Sequence, residues 1–291
     1  ANRLCYAGHV VHTKPKNPLA TRTPIQAGVE LYGEPGLPAD AEVVSLLAES
    51  LRTAGLPRLH IDLGHVGIYR ALMAKVDVEP ALKDAFFAML QRKAVAEIEQ
   101  WVADNISTPA IAKVLLALPG LAGGREILAN ARALFAAVAS DAVTAVDQLA
   151  GIADVIEQRY PEVELYFDLG ELRGYHYLTG LVFAAFAPGY GNPIASGGRY
   201  DHIGEVFGRR RPATGFAVDI TALSKLGLLS ADKGILIGVV NDGSDAQWAA
   251  IGALRAEGER VVSAESRAAL AGLGCDRELV KQDEQYRVVA L

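Results

Sequence analysis

Strand-forming and polar stretches alternate in the N-terminal region of the chain. Strand formers begin at Leu4 and return over residues 25–31, and a polar, proline-containing stretch separates the two runs. Two such runs around a polar loop predict a long antiparallel β-hairpin within residues 3–33. Pro18 and Pro24 lack the N–H that a strand ladder needs, so we place both in the loop or at a sheet edge.

A helix and a strand are predicted after the hairpin. Apolar residues recur at helical spacing over residues 43–51, with Asp40 as a candidate N-cap and Gly55 as a left-handed residue at the C-terminal end. Residues 59–63 then alternate apolar and polar side chains, which is the period of a half-buried strand. We expect Gly64 to end that strand.

The pattern becomes helical from about residue 80 to residue 159. Ala, Leu, Val, Glu and Lys dominate there, and turn signals at 107–109 and 119–124 divide the stretch into several helices. Asp104 or Ser107 is a candidate cap for one of them. We interpret this part of the chain as a helical insertion.

Strand patterns resume after the insertion. They are followed by a glycine-rich stretch, a short helix, a basic loop at 209–211 and a final strand and helix. The predicted strands are 163–167, 175–177, 181–183, 194–196 and 214–218, and the predicted helix is about 221–226.

The last part of the chain has a βαβ pattern. A buried-strand run at 234–240, an amphipathic helix at 244–257 ended by Gly258, and a strand at 260–262 predict a small α/β module. The chain as a whole is therefore predicted to be an α+β protein, with a core in two pieces, the insertion between them and this module. The predicted bounds are 1–79, 80–159, 160–230 and 231–291.

Composition narrows the classes of protein that fit this pattern. The chain has 291 residues, 51% hydrophobic, with 28 basic against 34 acidic side chains and a formal charge of -6. An acidic balance argues against nucleic-acid binding as the main task. Two distant cysteines exclude a disulfide framework and a Cys-type zinc site, and they fit a reducing compartment. No apolar run reaches the roughly 18 residues of a membrane span. The chain starts without methionine, so we expect a fragment of a longer protein.

Catalytic and cofactor signatures are missing from the sequence. It contains no P-loop, HExxH, GxSxG or dinucleotide motif, and its six histidines form no i, i+4 pair. From these absences we expect no metal site and no bound cofactor.

The first candidate binding cluster is Gln26-Ala-Gly-Val-Glu30. Gln26, Gly28 and Glu30 share one strand face, because alternate side chains of a strand point the same way. Gly28 leaves room between an amide and a carboxylate, which suits an ammonium group or an imidazole N–H. The alternative is a solvated polar face of the sheet.

Two further clusters contain arginine, tyrosine and glycine. Arg173, Tyr175 and Tyr177 are predicted to share a strand face, where arginine suits a carboxylate and tyrosines can wall a small pocket. A double glycine at 197–198 allows close backbone approach, and Tyr200 follows it. The alternatives are an aromatic cross-strand patch with a surface arginine, and a structural turn.

These clusters together resemble the class II histidyl-tRNA synthetases over about residues 3–226. The hairpin resembles motif 2, Leu172-Arg-Gly-Tyr-His-Tyr-Leu-Thr-Gly180 resembles the histidine-specific strand, and residues 197–201 with 212–217 resemble the last glycine-rich strand and motif 3. The resemblance implies a class II synthetase-like antiparallel sheet flanked by helices. Gln26, Glu30, Arg173, Tyr177 and Tyr200 match positions of the histidine pocket.

The departures from that family concern ATP. The Arg-x-Glu of motif 2 is replaced by His12 and Lys14, and the arginine of motif 3 is replaced by Ala222, with Asp219 where the family has glycine. Phosphoryl chemistry needs cations placed on the developing charge. Leu178 also stands where the synthetases have a second tyrosine. The pattern predicts a kept histidine pocket and a lost ATP site.

A synthetase-like chain of this kind resembles the regulatory subunits of ATP phosphoribosyltransferase, a paralogous family in histidine biosynthesis. The tail, from Leu273 through residue 289, is also similar to that family's C-terminal end. The resemblance implies a non-catalytic cytoplasmic subunit that dimerises, joins a short-form catalytic subunit in a hetero-octamer, activates it and mediates feedback inhibition by L-histidine. It implies neither tRNA nor membrane binding. The implied histidine-binding residues are Gln26, Glu30, Arg173, Tyr175, Tyr177 and Tyr200.

Two other functions stay open at this point. One is a divergent histidyl-tRNA synthetase catalytic fragment. The residues at positions 12 and 222 argue against it, because neither is the arginine of that family. The other is a histidine-binding, synthetase-like sensor in a different pathway.

Overall fold

The computed structural model describes residues 1–13, 21–56, 58–226 and 236–291. The chain divides into two compact units, Ala1–Leu228 and Leu229–Leu291. Lys14, Pro18 and the predicted start of the C-terminal module at 231–235 lie outside the described residues. None of the helices in the described ranges is both long and apolar enough to cross a membrane.

The first unit is built on one eight-stranded sheet. Its order is β1-β2-β8-β7-β6-β3-β5-β4, and every pair is antiparallel except β3–β5. The strands are β1 (Asn2–His9), β2 (Ile25–Tyr32), β3 (Leu59–His65), β4 (Ala122–Gly123), β5 (Val163–Asp168), β6 (Leu181–Phe186), β7 (Ala195–Arg199) and β8 (Ala213–Asp219).

Eight α-helices accompany this sheet within the described residues. They are α1 (Leu37–Thr53), α2 (Val66–Met73), α3 (Pro80–Gln91), α4 (Val95–Asn105), α5 (Pro109–Ala117), α6 (Glu126–Phe135), α7 (Ser140–Arg159) and α8 (Ile220–Lys225). Short 3-10 turns lie at Leu118–Gly120 and Ile203–Phe207. The region predicted to be helical, 80–159, consists of helices joined by short connections, and β4 lies in one of these connections.

The main core lies on one face of the sheet, under α1, α2 and α7. Ile61, Leu63 and Phe183 point into it from alternate strand positions and are almost completely buried. The side chains between them point to the opposite face. By the strand register, that face carries Glu30 of β2 opposite Gly215 of β8. The sheet thus separates a packed apolar layer from a face that is free to form a site.

The C-terminal unit is a small α/β module, as the βαβ pattern predicts. Its sheet has the order β10-β9-β11-β12, with β9 parallel to β10 and β11. Its elements are β9 (Leu236–Val240), α9 (Asp245–Ala256), β10 (Arg260–Ala264), α10 (Arg267–Gly272), β11 (Arg277–Gln282) and β12 (Gln285–Ala290). The sequence reading missed α10 and the β11–β12 hairpin.

Local predictions about helix and strand ends are partly wrong. The N-cap of α1 is Gly36, and Asp40 lies inside the first turn, where it binds Arg199 instead. The N-cap of α5 is Thr108 rather than Asp104 or Ser107. The strand at Leu59 continues through Gly64 to His65. The hairpin is confirmed, and so is the positive φ of Gly55, at 88°.

Candidate functional site

A cavity of about 230 Å³ lies on the open face of the sheet. Strands β2, β6, β7 and β8 form its base, and the irregular segment after β5 forms one wall. The lining residues are Glu30, Arg173, Tyr177, Leu178, Val182, Phe183, Ser196, Gly197, Gly198, Tyr200, Gly215, Phe216 and Ala217. Four of the six predicted histidine-binding residues therefore meet at one cavity: Glu30, Arg173, Tyr177 and Tyr200.

Glycines create the space in this cavity. Glu30, Gly215 and Gly198 occupy one row across β2, β8 and β7. A Cβ on Gly215 would overlap Oε2 of Glu30, and a Cβ on Gly198 would lie 3.0 Å from Cδ2 of Leu178. Any larger residue in this row would displace the carboxylate or fill the hollow.

Glu30 brings an unpaired acceptor to the cavity. Its Oε2 is buried and accepts no hydrogen bond from any residue that the structure describes. Burial disfavours the charged form and raises the pKa of Glu30 to about 7. A buried polar atom without a partner is costly, so a ligand N–H placed here would recover the free energy of a missing hydrogen bond.

Arg173 supplies positive charge at the wall of the same cavity. Its Nη2 lies 2.8 Å from Oε2 of Glu171, and its backbone N–H donates to Oε1 of that residue at 2.6 Å. The guanidinium has five N–H donors, so this ion pair leaves others for a ligand carboxylate. Tyr177 and Tyr200 add aromatic walls, and the ring of Tyr200 meets Tyr32 edge-on at 6.4 Å.

The prediction that residues 175–177 form a strand is wrong. Residues 173–177 form hydrogen-bonded turns, with Gly174 at φ +69° and the Leu178 N–H donating to the Gly174 carbonyl at 2.7 Å. Tyr175 and Tyr177 therefore do not share a face. Tyr175 does not line the cavity, because its ring packs against Tyr69, with centroids 5.2 Å apart.

Gln26 lies beside a second hollow rather than in this cavity. That hollow has a volume of about 350 Å³ and shares only Ser196 and Ala217 with the first. It is also lined by His12 and Ala222, the two described positions that the motif resemblance matches to synthetase arginines. Asp219 lines it too, and its Oδ1 accepts the Ala222 N–H at 3.0 Å, capping α8. Gln26 is four residues from Glu30 along β2, roughly 13 Å at strand spacing.

A buried ion-pair network that the sequence reading missed holds the end of β7 next to the cavity. Arg199 donates through Nε to both oxygens of Asp40 at 3.0 Å and through Nη1 to Asp201 at 2.9 Å. Desolvation raises the pKa of Asp40, and the Arg199 guanidinium opposes that shift. The network fixes the backbone on both sides of Tyr200. No local signal could have paired Arg199 with Asp40, because 159 residues separate them.

Family models match almost the whole chain. The model of histidyl-tRNA synthetase matches residues 1–223, and the model of the ATP phosphoribosyltransferase subunit HisZ C-terminal domain matches residues 233–289.

Individual relatives agree with these models. The ATP phosphoribosyltransferase regulatory subunit of Cellvibrio japonicus is 63% identical over 291 residues, covering all of this chain and 73% of the relative. A solved ATP phosphoribosyltransferase regulatory subunit/histidyl-tRNA synthetase from Bacillus halodurans superposes with a TM-score of 0.76 at 28% identity, over 93% of this chain and 71% of the other.

A more distant structure shares the fold. A chain of the ATP phosphoribosyl transferase (HisG:HisZ) complex from Thermotoga maritima has a TM-score of 0.59 at 19% identity, over 74% of this chain and 72% of that one. Together with the models, these structures confirm the histidyl-tRNA synthetase-like fold predicted from the motifs.

Proposed function

This chain belongs to the family of ATP phosphoribosyltransferase regulatory subunits, and we propose that it activates a short-form catalytic subunit and transmits feedback inhibition by L-histidine to it. The observation that carries this proposal is Glu30, which lines a cavity of about 230 Å³ and has one carboxylate oxygen, Oε2, buried without a hydrogen-bond partner among the described residues. The cavity adjoins a hollow lined by His12 and Ala222, which the motif resemblance matches to synthetase arginines.

The chemistry of the cavity supports histidine as the effector. Glu30 can accept an imidazole or ammonium N–H, and Arg173 can donate to a carboxylate. Tyr177 and Tyr200 present apolar ring surface with polar tips, which suits a small ring that carries both kinds of group. We propose these four residues as the effector site. Gln26 and Tyr175 would act on the ligand only indirectly, from the neighbouring hollow and from behind the wall.

The neighbouring hollow supports a regulatory rather than a synthetase role. This hollow is lined by His12, Ala222 and Asp219. By the motif resemblance, the first two match positions where a synthetase places arginines on ATP. A carboxylate near the phosphates would repel them, and a neutral alanine cannot stabilise developing charge. We therefore do not expect adenylation of histidine by this chain.

Assembly with a catalytic chain is part of the proposal. The Thermotoga maritima relative is a chain of a HisG:HisZ complex, and we infer a similar association here, with dimers of this chain inside a cytoplasmic hetero-octamer. Histidine could inhibit such an assembly only if it bound the inhibited state more tightly than the active state.

The decisive experiment combines the full-length regulatory subunit with a short-form catalytic subunit. Formation of phosphoribosyl-ATP is measured across a histidine titration for the wild type, for Glu30→Gln and for a control, Glu97→Gln, at an exposed ion pair on α4. We expect the wild type to raise the rate and histidine to lower it again. The Glu30→Gln variant should need at least about tenfold more histidine for half inhibition, because it loses a charged hydrogen-bond acceptor.

The same materials distinguish the alternatives. Equal histidine sensitivity in the wild type and Glu30→Gln would remove Glu30 from the sensing site. Histidine-dependent ATP–pyrophosphate exchange by this chain would instead indicate a synthetase. Histidine binding without any association with the catalytic subunit would indicate a sensor in another pathway.

A further inference from the structure

One wall of the proposed histidine site is a segment without regular secondary structure. Residues 172–178, here called the strap, contribute Arg173, Tyr177 and Leu178 to the cavity. Inside the strap, the backbone is held by three turn hydrogen bonds, of which two end at the Gly174 carbonyl. Two polar side chains of the site thus depend on a segment that has no strand ladder to position it.

Arg70 of α2 holds the strap from outside the cavity. Its Nη2 donates to the Tyr175 carbonyl at 2.8 Å and to the Leu178 carbonyl at 2.7 Å, so its two bonds bracket Tyr177. Its guanidinium carbon also lies 4.8 Å from the centre of the Tyr175 ring. Among the described residues, no carboxylate forms an ion pair with Arg70. Its hydrogen bonds to the strap are therefore not shared with a carboxylate partner in the described part of the chain.

Arg70 is itself rigidly placed by its helix. The N-terminus of α2 is capped by His65, whose Nδ1 accepts the Gly67 N–H at 3.1 Å and whose Nε2 lies 2.8 Å from Oε1 of Gln148 on α7. Because Nδ1 accepts, Nε2 carries the proton and donates to Gln148. The neighbouring Tyr69 ring packs edge-on against Tyr175. The strap is therefore attached to a helix that is fixed on the buried side of the sheet.

We propose that Arg70 is a positioning residue for effector binding: it holds the strap in the conformation that presents Arg173 and Tyr177 to the ligand. This inference rests on the proposed function, because it assumes that histidine occupies the cavity. Arg70 does not itself line the cavity, so it acts through the strap. Without it, the strap also adopts conformations that withdraw Arg173. Histidine needs the guanidinium, so its apparent affinity falls with the population of the competent strap. A ligand without a carboxylate can bind the other conformations as well and loses less.

The variants are chosen to separate positioning from folding. Arg70→Met keeps an apolar stem but removes both hydrogen bonds. Arg70→Lys keeps the charge and three donors that can reach the carbonyls. The matched control is Arg52→Met on α1, since Arg52 also lies over a tyrosine, Tyr160, at 6.0 Å and pairs with Glu49.

Isothermal titration of the regulatory subunit with L-histidine and with L-histidinol is the test. Histidinol lacks the carboxylate, so the affinity ratio of the two ligands reports how well Arg173 is placed. For Arg70→Met we expect histidine to bind about 10- to 100-fold more weakly and the histidine-to-histidinol ratio to shrink. Arg70→Lys should recover most of the loss, and Arg52→Met should match the wild type.

Two outcomes would overturn the positioning role of Arg70, and a third would overturn the proposed effector function. Loss of affinity for both ligands in equal proportion would overturn the positioning role, because a general weakening of the fold leaves the ratio unchanged. Wild-type affinity in Arg70→Met would overturn it as well. If the wild type binds no histidine at all, the proposed effector function fails, whatever Arg70 does.

Discussion

The clearest prediction concerns Glu30 and pH. The Glu30→Gln substitution keeps the shape of the side chain and removes its charge. A hydrogen bond to a charged group contributes about 1.5–3 kcal/mol, so histidine should bind roughly 10- to 150-fold more weakly to the variant. The measurement is isothermal titration at pH 8, where a carboxyl with a pKa of about 7 is mostly ionised.

The raised pKa of Glu30 gives the prediction its pH dependence. The ligand N–H needs the ionised carboxylate, so affinity should fall as pH drops through the pKa of about 7. The ionised fraction decreases from about nine tenths at pH 8 to about one tenth at pH 6, which predicts a roughly tenfold weaker apparent affinity. Because the imidazole of histidine also titrates in this range, the ligand for this series is 1,2,4-triazole-3-alanine, whose ring stays neutral.

The Glu30→Gln variant serves as the internal control, and its affinity for the triazole ligand should not change between pH 8 and pH 6. The reasoning is refuted if the wild type is equally flat, or if Glu30→Gln binds within threefold of the wild type at pH 8. Either result would mean that the buried Oε2 does not accept a ligand hydrogen bond.

Three further predictions concern the supports of the site. Gly215→Ala should weaken histidine binding at least tenfold in calorimetry, because the added Cβ overlaps both Oε2 of Glu30 and the Val29 carbonyl oxygen, which displaces the carboxylate and the backbone of β2 beside it. His65 is buried, and its pKa is lowered from 6.5 to about 4. Below pH 6.5 the native state therefore binds fewer protons than the unfolded state. The free energy of unfolding should be at its full value above pH 6.5 and should decline by about 3 kcal/mol as pH falls to 4. Urea unfolding across that range should show the decline, and His65→Asn should lack most of it. Arg199→Met leaves the Asp40 carboxylate buried without its cation, so unfolding should become about 3–5 kcal/mol easier. A midpoint unchanged from the wild type would contradict the importance of that pair.

Local patterns in the sequence were sufficient to predict most of the helices and strands. Strand alternation placed Gln26, Gly28 and Glu30 on one face of β2, and the structure has this strand at Ile25–Tyr32. The helical composition over 80–159 likewise predicted the helices there, and the βαβ pattern of the tail predicted the small α/β module. These features depend on the period of side chains along the backbone, which neighbouring residues determine by themselves.

The tertiary structure was needed to show which of the predicted site residues line the same cavity. Gln26 and Glu30 share a face but line different hollows, since the strand carries them about 13 Å apart. The alternation of Arg173, Tyr175 and Tyr177 imitates a strand. However, this segment forms turns in the structure, with a positive φ at Gly174 and hydrogen bonds from Arg70 to two of its carbonyls.

The sequence by itself determined which elements form and which residues are candidates for binding an amino acid. Only the tertiary structure decided which of those residues meet. The Tyr175 ring packs against Tyr69, and Arg199 pairs with Asp40, although more than 100 residues separate the members of each pair. Such contacts depend on long-range packing, which leaves no periodic signal in the residues that make them.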